Sequence, residues 1–186
     1  MSTIPRASAG RTAISVEEYL RLEEEGSERN EYVAGEVYAL SGASKRHNRI
    51  ILNIAARLHE QTRGGPYEVY VAEVKLRAAT DVIYYPDVMV ACDPRDEHAL
   101  MVDTPCLVVE VISPSTGTTD RREKLAAYKR IPSLQAYLIV DQDERRVERH
   151  WREKEEWWVQ EIAEQGAVPI PCPATELSLA EIYERI

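Results

Sequence analysis

Two carboxylic acids occupy positions in the sequence where apolar residues are expected. Glu110 interrupts the apolar run LVVEVI at 107–112, and Asp87 lies between Pro86 and the apolar residues 88–90. Burying an ionised carboxylate without a partner costs several kcal/mol. Mg²⁺ is usually held by one or two carboxylates together with water and phosphate oxygens. The two acids therefore predict a site for Mg²⁺ or Mn²⁺ in which Asp87 and Glu110 are the metal ligands.

Each acid also has a purely structural explanation. Glu110 could form a buried ion pair with an arginine instead of binding a metal. Pro-Asp is a common turn dipeptide, so Asp87 alone is weak evidence for a metal site. The metal interpretation depends on both acids together, because two carboxylates on neighbouring strands repel each other unless a cation lies between them.

A lysine is the third component expected at such a site. It can neutralise charge on the scissile phosphate or orient the attacking water. In the common sequence arrangement the lysine lies two residues after the glutamate, but that position here is Ile112. Lys124, near the start of the next predicted helix, is the candidate, and Arg121 and Tyr128 lie on the same helix face. Lys75 on an earlier strand is a rival, and a merely solvent-exposed Lys124 is the alternative.

Other classes of enzyme have little support in the sequence. Ser113 and Ser115 lack the G-x-S-x-G context of a nucleophilic serine, and no P-loop or GxGxxG motif is present. The four histidines form no HExxH motif. The three cysteines lack any CxxC spacing, which argues against a zinc knuckle or a disulfide framework and favours a reducing cytoplasm.

The charge distribution bears on nucleic-acid binding. The net charge is −9, whereas phosphate binding is normally driven by a cationic surface. Two segments, 45–63 and 119–131, are nevertheless rich in lysine and arginine. Solvated helix faces are an equally good explanation of these segments. If DNA is the partner, the candidate contacts are Arg46, Arg49, Arg121 and Lys75.

The chain length of 186 residues suits one domain with a real core. Residues 1–13 are predicted to be a flexible leader and residues 14–186 a single domain. No apolar stretch of the sequence is long enough to form a membrane-spanning helix. The apolar spacing predicts an α/β fold with a central mixed sheet flanked by helices. Its predicted elements are a helix from Ser15, a hairpin around Ala34-Gly35, a helix over 44–63, β-rich stretches at 67–77, 81–92 and 106–113, a helix over 120–131, a strand at 136–142, a hairpin over 146–163 and a closing helix capped by Ser178.

A family resemblance rests on long quoted segments of the chain. YYPDVMV, LVVEVISPST and DRREKLAAYKRIPSLQAYLIVD resemble the Uma family, restriction-endonuclease-like bacterial proteins of the PD-(D/E)XK nuclease superfamily. The similarity extends back through VEEYLRLEEE, NEYVAGEVYALSGAS and RHNRI, and forward to LSLAEIYERI.

The resemblance implies a restriction-endonuclease-like core, with an N-terminal helix and hairpin and a C-terminal hairpin and helix. It also implies that Asp87 and Glu110 bind the metal and that Lys124 is a lysine displaced from the strand to the helix. Members of the superfamily often add a further acid near the first core helix. Glu36 is the candidate here, with Glu31 behind it, and His47 could reach the same cleft unless it is a capping or packing residue.

These observations lead to a functional hypothesis with a rival. The hypothesis is a Mg²⁺- or Mn²⁺-dependent endonuclease-like phosphodiesterase that hydrolyses DNA. The rival is a non-catalytic nucleic-acid-binding or regulatory module on a degenerate nuclease fold, and a hydrolase of small phosphoesters is a further alternative. Cutting both strands of DNA requires two sites, so a homodimer is expected. Its contact could be the hairpin that contains Trp151, Trp157 and Trp158, although these side chains are equally suited to cover the core.

Overall fold

The computed structural model describes residues 13–40, 42–92, 100–112 and 118–186, with backbone only at 118–121. The predicted leader, 1–13, lies outside the described residues except for Ala13, as do Ser113 and Ser115. In the described ranges no helix is long and apolar enough to cross a membrane. The helices are α1 (Val16–Glu25), α2 (Lys45–Thr62), α3 (Thr118–Tyr128) and α4 (Leu179–Ile182).

The strands of the described residues are numbered in chain order. They are β1 (Asn30–Val33), β2 (Glu36–Ala39), β3 (Glu68–Val71), β4 (Lys75–Ala79), β5 (Val82–Tyr84), β6 (Val88–Ala91), β7 (Met101–Val102), β8 (Pro105–Ile112), β9 (Ala136–Asp141), β10 (Arg146–Glu153), β11 (Glu156–Ala163), β12 (Ala167–Ile170) and β13 (Thr175–Ser178). The short strand β7 and the ribbon formed by β12 and β13 were not expected from the sequence pattern.

The central sheet contains six strands in the order β11-β10-β9-β8-β6-β3. Strands β8 and β9 are parallel, and the other neighbours are antiparallel. A parallel pair requires a crossover connection, and α3 lies in the connection between these two strands. The structure therefore confirms the predicted α/β class with a mixed sheet flanked by helices.

A second sheet of five strands has the order β2-β1-β5-β4-β7. Its first two strands form the predicted hairpin, in which Ala34 and Gly35 have φ of 49° and 93°. Positive φ at both central residues is the requirement of a type I′ turn, whose twist matches that of the strands. This sheet carries one side of the functional site described below.

Two predicted strands are each divided between the two sheets. The stretch 67–77 breaks at Ala72, which has a φ of 46°, into β3 of the central sheet and β4 of the second. The stretch 81–92 breaks at Pro86-Asp87 into β5 and β6 in the same way. The two breaks are joined, because the Ala72 N–H donates a hydrogen bond to the Asp87 carbonyl oxygen at 3.1 Å. Proline cannot donate to a β-ladder, which explains the second break.

Helix boundaries follow the capping residues closely. The Ser15 and Ser44 hydroxyls accept hydrogen bonds from the N–H groups of Glu18 and His47, and a full capping box starts α4 at Ser178. The prediction for α3 was less accurate. This helix begins at Thr118 rather than at Asp120 and gives way to a turn after Tyr128.

The core has two main layers, one on each face of the central sheet. On one face α2 buries Ile50, Ile54 and Leu58 completely against the strands. On the other face Tyr128 of α3 packs with Leu76 and Tyr84 of the second sheet. The functional site lies where α3 and the second sheet meet the central strand β8.

Candidate active site

Asp87 lies at the junction where the chain leaves the second sheet and enters the central one. Its Oδ2 accepts a hydrogen bond of 2.7 Å from the N–H of Val111, in the neighbouring strand β8. Its Oδ1 is 3.1 Å from Nε2 of His47, which the capping residue Ser44 places in the first turn of α2. The carboxylate is therefore oriented by two elements besides its own, and its side chain is 17% exposed.

Glu110 projects from β8, and its side chain is only 9% exposed. Its Oε1 accepts a hydrogen bond of 2.7 Å from the hydroxyl of Tyr128 and one of 3.3 Å from Nζ of Lys124. Lys124 and Tyr128 are four residues apart on α3, so both side chains lie on the same helix face. The parallel crossover that α3 provides places this face over the glutamate.

Glu31 is the third acid of the site. Its Oε1 accepts hydrogen bonds from Lys124 Nζ at 2.8 Å and from the N–H of Tyr85 at 3.2 Å. Lys124 therefore bridges Glu31 of the second sheet and Glu110 of the central sheet, and its Nζ also lies 5.2 Å from the ring centroid of Tyr84.

Glu36, the preferred third acid from the sequence, is not part of this cluster. It is exposed beside the hairpin turn on the edge strand β2, where its carboxylate accepts a hydrogen bond from the Tyr38 hydroxyl. Glu31 lies on the inner strand β1, between β2 and β5, and is buried. The structure therefore places Glu31, and not Glu36, beside Lys124.

The site holds more negative than positive charge. Burial is the main cause that raises the pKa of Glu110 to about 7, and the charges of Asp87 and Glu31 add to it, against the opposing effects of Lys124 and Tyr128. Burial lowers the pKa of His47, but Asp87 and Glu110 outweigh it, so that this pKa is raised. Oxygen ligands with excess negative charge fit a hard divalent cation such as Mg²⁺ or Mn²⁺.

The remaining predicted cationic residues have different surroundings. Lys75 is buried, with Nζ 5.3 Å from the ring centroid of Tyr85, and the carboxylate-bridging position is taken by Lys124. Arg46 donates hydrogen bonds to the carbonyl oxygens of Gln142 and Asp143, so its guanidinium supports the turn between β9 and β10. Arg49 is exposed on α2. The side chain of Arg121 lies outside the described part of α3.

The far end of α3 is fixed by the C-terminal hairpin. Arg152 of β10 donates hydrogen bonds of 2.9 Å to the carbonyl oxygens of Lys129 and Pro132, and Trp157 of β11 donates one of 3.2 Å to Lys129. Cations and donors near a helix C-terminus satisfy carbonyl groups that have no partner within the helix. The hairpin thus helps to position the helix that carries Lys124.

Two side chains of the cluster make contacts that the sequence did not predict. Tyr128 was expected only as a neighbour of Lys124 on the helix face, and His47 more as a capping or packing residue. The structure gives both side chains a direct contact with a carboxylate. The four-residue spacing of Lys124 and Tyr128 was the available signal for the first, whereas the contact of His47 depends on how α2 packs.

Comparison with known proteins agrees with this fold. The Uma2 family model, described as "Putative restriction endonuclease", matches residues 16–181. Two proteins of Synechocystis sp., both described as uncharacterized, are similar in sequence. The protein sll1609 is 35% identical over 150 residues, covering 78% of this chain and 85% of its own length. The protein slr1290 is 42% identical over 129 residues, covering 68% of each chain.

A solved structure from Anabaena variabilis, described as "a putative nuclease belonging to DUF820", has the same fold. Its TM-score is 0.76 at 20% identity, covering 91% of this chain and 97% of that chain. At this low identity the likeness shows the fold alone. The family model, in contrast, matches most of the chain, and the resemblance noted from the quoted segments is confirmed. The protein belongs to the Uma2 family.

Proposed function

We propose that this protein is a metal-dependent endonuclease that hydrolyses phosphodiester bonds of DNA. The observation that carries the proposal is a cluster of three acids, in which Glu31 and Glu110 share the ammonium of Lys124 and the charge of Asp87 acts on Glu110. Three carboxylates with one ammonium leave an excess of negative charge in a largely buried place. A divalent cation neutralises this charge, and phosphate oxygens complete its coordination.

Asp87 and Glu110 would hold Mg²⁺ or Mn²⁺, with Glu31 as a further acid beside them. When bound, such an ion lowers the pKa of its water and stabilises charge on the leaving oxygen. The protein's own groups keep the ligands in place: the Val111 N–H orients Asp87, and the Tyr128 hydroxyl orients Glu110. Preorganised ligands of this kind need little rearrangement during the reaction.

Lys124 is the proposed catalytic cation. Its ammonium lies between the two glutamates, and its side chain is 12% exposed, so a substrate phosphate that enters the site could approach it. There it would neutralise charge that develops on the phosphate or orient the attacking water. In the common sequence arrangement this role belongs to a lysine on the same strand as the glutamate, whereas here the side chain comes from α3.

DNA is the proposed substrate because the family description concerns restriction endonucleases. Arg49, exposed on α2, is the best placed of the predicted contacts to the DNA backbone, since Arg46 supports a turn and Lys75 is buried. The net charge of −9 predicts that binding is weak at physiological salt.

The test compares single isosteric variants on supercoiled plasmid with Mg²⁺ or Mn²⁺. We expect Asp87→Asn, Glu110→Gln and Glu31→Gln each to lower cleavage by about 10²-fold or more, because each removes charge from the metal site. Glu36→Gln is the matched control, since it makes the same change in the same hairpin outside the cluster. Circular dichroism establishes folding, and calorimetry measures metal binding.

Cleavage that persists in Glu110→Gln would contradict the site. Salt-sensitive DNA binding without any cleavage by the wild type would instead support the rival, a binding module that retains the fold. Turnover of a model phosphodiester without affinity for duplex DNA would support hydrolysis of small phosphoesters.

A further inference from the structure

The three cysteines, far apart in the sequence, meet at one place in the fold. Cys92 follows β6, Cys106 lies on β8, and Cys172 follows β12. Their Sγ atoms all lie within 4.8 Å of one another. No local sequence motif predicts this cluster, because each thiol comes from a different part of the structure.

The separation of the sulfur atoms is close to that required by a metal. A Zn–S bond is about 2.3 Å, so two thiolates of a tetrahedral site are about 3.8 Å apart. The three sulfur atoms therefore need to move together by only about 1 Å to share one ion. Such a shift is within the range of small side-chain rotations.

The surroundings leave one side of the cluster accessible. Cys106 is completely buried, whereas Cys92 and Cys172 are half-buried. Three protein ligands on the buried side and solvent on the other leave room for a water or an external fourth ligand. The site is thus accessible to an ion without unfolding of the sheet.

The thiols also have the electrostatic character of ligands. Hydrogen bonding from Cys106 is the main cause that lowers the pKa of Cys172 to about 6, and Tyr67 contributes in the same direction. The hydrogen bond with Cys172 and burial raise the pKa of Cys106. Thiolate, rather than thiol, is the form that binds metal.

We propose that Cys92, Cys106 and Cys172 form a three-thiolate site for a thiophilic d¹⁰ cation, Zn²⁺ or Cu⁺. Thiolate ligands select these ions over Mg²⁺ and Mn²⁺, which prefer oxygen. The ion would tie the turn after β12 to strands β6 and β8 of the central sheet. Its role would be structural, since the cluster belongs to the core layer formed by α2.

This site is separate from the carboxylate cluster. Cys106 precedes Glu110 by four residues on the same strand, which corresponds to about 13 Å. Cys106 belongs to the layer with α2, whereas Glu110 contacts Lys124 and Tyr128 of α3 on the other face. Failure of one proposal therefore leaves the other intact, and a single set of variants can separate them.

The test titrates Co²⁺ or Cd²⁺ into reduced, metal-stripped protein and follows the sulfur-to-metal charge-transfer band in the near ultraviolet. We expect one equivalent of metal to produce the band in the wild type and in Asp87→Asn. The band should be lost in Cys172→Ser and weakened at least about tenfold in affinity in Cys92→Ser. These two residues are chosen because they are half-buried, and circular dichroism establishes that both variants fold.

Native mass spectrometry with Zn²⁺ and Cu⁺ at equal concentration identifies which of the two ions is retained. Plasmid cleavage with Mg²⁺ should be unchanged in Cys172→Ser and lost in Asp87→Asn, which separates the two sites. The proposal is overturned if the wild type gives no band or if the band survives in Cys172→Ser. It is also overturned if the thiols form a disulfide in air and bind no metal after reduction.

Discussion

Lys124 is the residue on which the arrangement of the site depends most. Its ammonium is 2.8 Å from Glu31 and 3.3 Å from Glu110, and both carboxylates are largely buried. Removing one member of a buried ionic group leaves the remaining charges without compensation, which is more costly than the ion pair is favourable. Lys124 therefore compensates the charge of two buried carboxylates, and in the proposed function it would also contact the substrate phosphate.

Replacing this lysine should separate metal binding from cleavage. We expect Lys124→Met to lower plasmid cleavage by about 10²-fold or more, because the cation at the phosphate is lost. The same variant should bind Mg²⁺ more tightly than the wild type, since the metal no longer competes with an ammonium for Glu110. Calorimetry and plasmid cleavage measure the two effects, and Lys45→Met, an exposed change at the start of α2, is the control. Unchanged cleavage in Lys124→Met would contradict the assignment.

The sequence predicted Asp87, Glu110 and Lys124 because each is locally unusual or follows a recognisable strand. It could not show which of Glu31 and Glu36, five residues apart in one hairpin, lies beside Lys124. The choice depends on which hairpin strand pairs with β5, and that pairing joins residues about 50 positions apart. The thiol cluster escaped the sequence analysis for the same reason, since it is formed entirely by long-range contacts.

At the scale of elements, the turn between β9 and β10 shows how the helices and the central sheet are joined. Asp141 accepts hydrogen bonds from the N–H groups of Asp143 and Glu144 at 2.9 and 3.1 Å, and from Arg146 at 2.7 Å. Arg46 of α2 contacts the outer carbonyl oxygens of the same turn. The turn therefore connects the first core helix to the central sheet.

The stability of this turn should depend on pH. Burial alone would raise the pKa of Asp141, but the hydrogen bonds from Arg146 and the backbone outweigh it, so that the pKa is lowered. A folded pKa below the unfolded value of about 3.9 gives stability that is complete at neutral pH and is lost as pH falls through the folded pKa.

We expect Asp141→Asn to lower the free energy of unfolding by about 1–3 kcal/mol at pH 7. The difference from the wild type should shrink as the pH falls below about 4, because the wild-type carboxylate then becomes neutral as well. Urea unfolding at several pH values measures this difference in the free energy of unfolding. The exposed neighbour Asp143 supplies the control, and Asp143→Asn should change stability by less than about 0.5 kcal/mol. A pH-independent difference for Asp141→Asn would contradict the explanation.

Most elements followed from the sequence, because capping serines and apolar spacing are local signals. Besides the short strand β7 and the ribbon of β12 and β13, the exceptions are the stretches 67–77 and 81–92, which were predicted as single strands and divide between two sheets. Their apolar alternation continues across each break, so the pattern alone does not reveal it. Pro86 marks the second break, whereas the first depends on Ala72 adopting a positive φ.

At the scale of the whole molecule, the C-terminal hairpin remains the candidate for a dimer contact. Trp157 donates a hydrogen bond to the Lys129 carbonyl oxygen at the end of α3. The guanidinium of Arg149 lies 3.9 Å from the ring centroid of Trp151. On the edge strand β11, Trp158 and Val159 are 49% and 60% exposed. A homodimer with two sites can cut both strands of a duplex in one encounter.

We therefore expect the wild type to sediment as a dimer and to convert supercoiled plasmid to linear product with little nicked intermediate. Trp158→Arg places a charge in the proposed contact, so it should sediment as a monomer and accumulate nicked circles. Sedimentation velocity and a time course of plasmid products measure both effects. Lys154→Glu, a charge change at the tip of the same hairpin, is the control. A monomeric wild type, or an unchanged product pattern in Trp158→Arg, would count against the dimer.

The three acids belong to different parts of the two-sheet framework. Glu31 lies in the second sheet, Glu110 in the central sheet, and Asp87 at the junction where β5 of one sheet leads into β6 of the other. The distances between these carboxylates therefore depend on the relative position of the two sheets. In the proposed function, a bent duplex seated across both sheets would shear one over the other and so change the distances between the three acids.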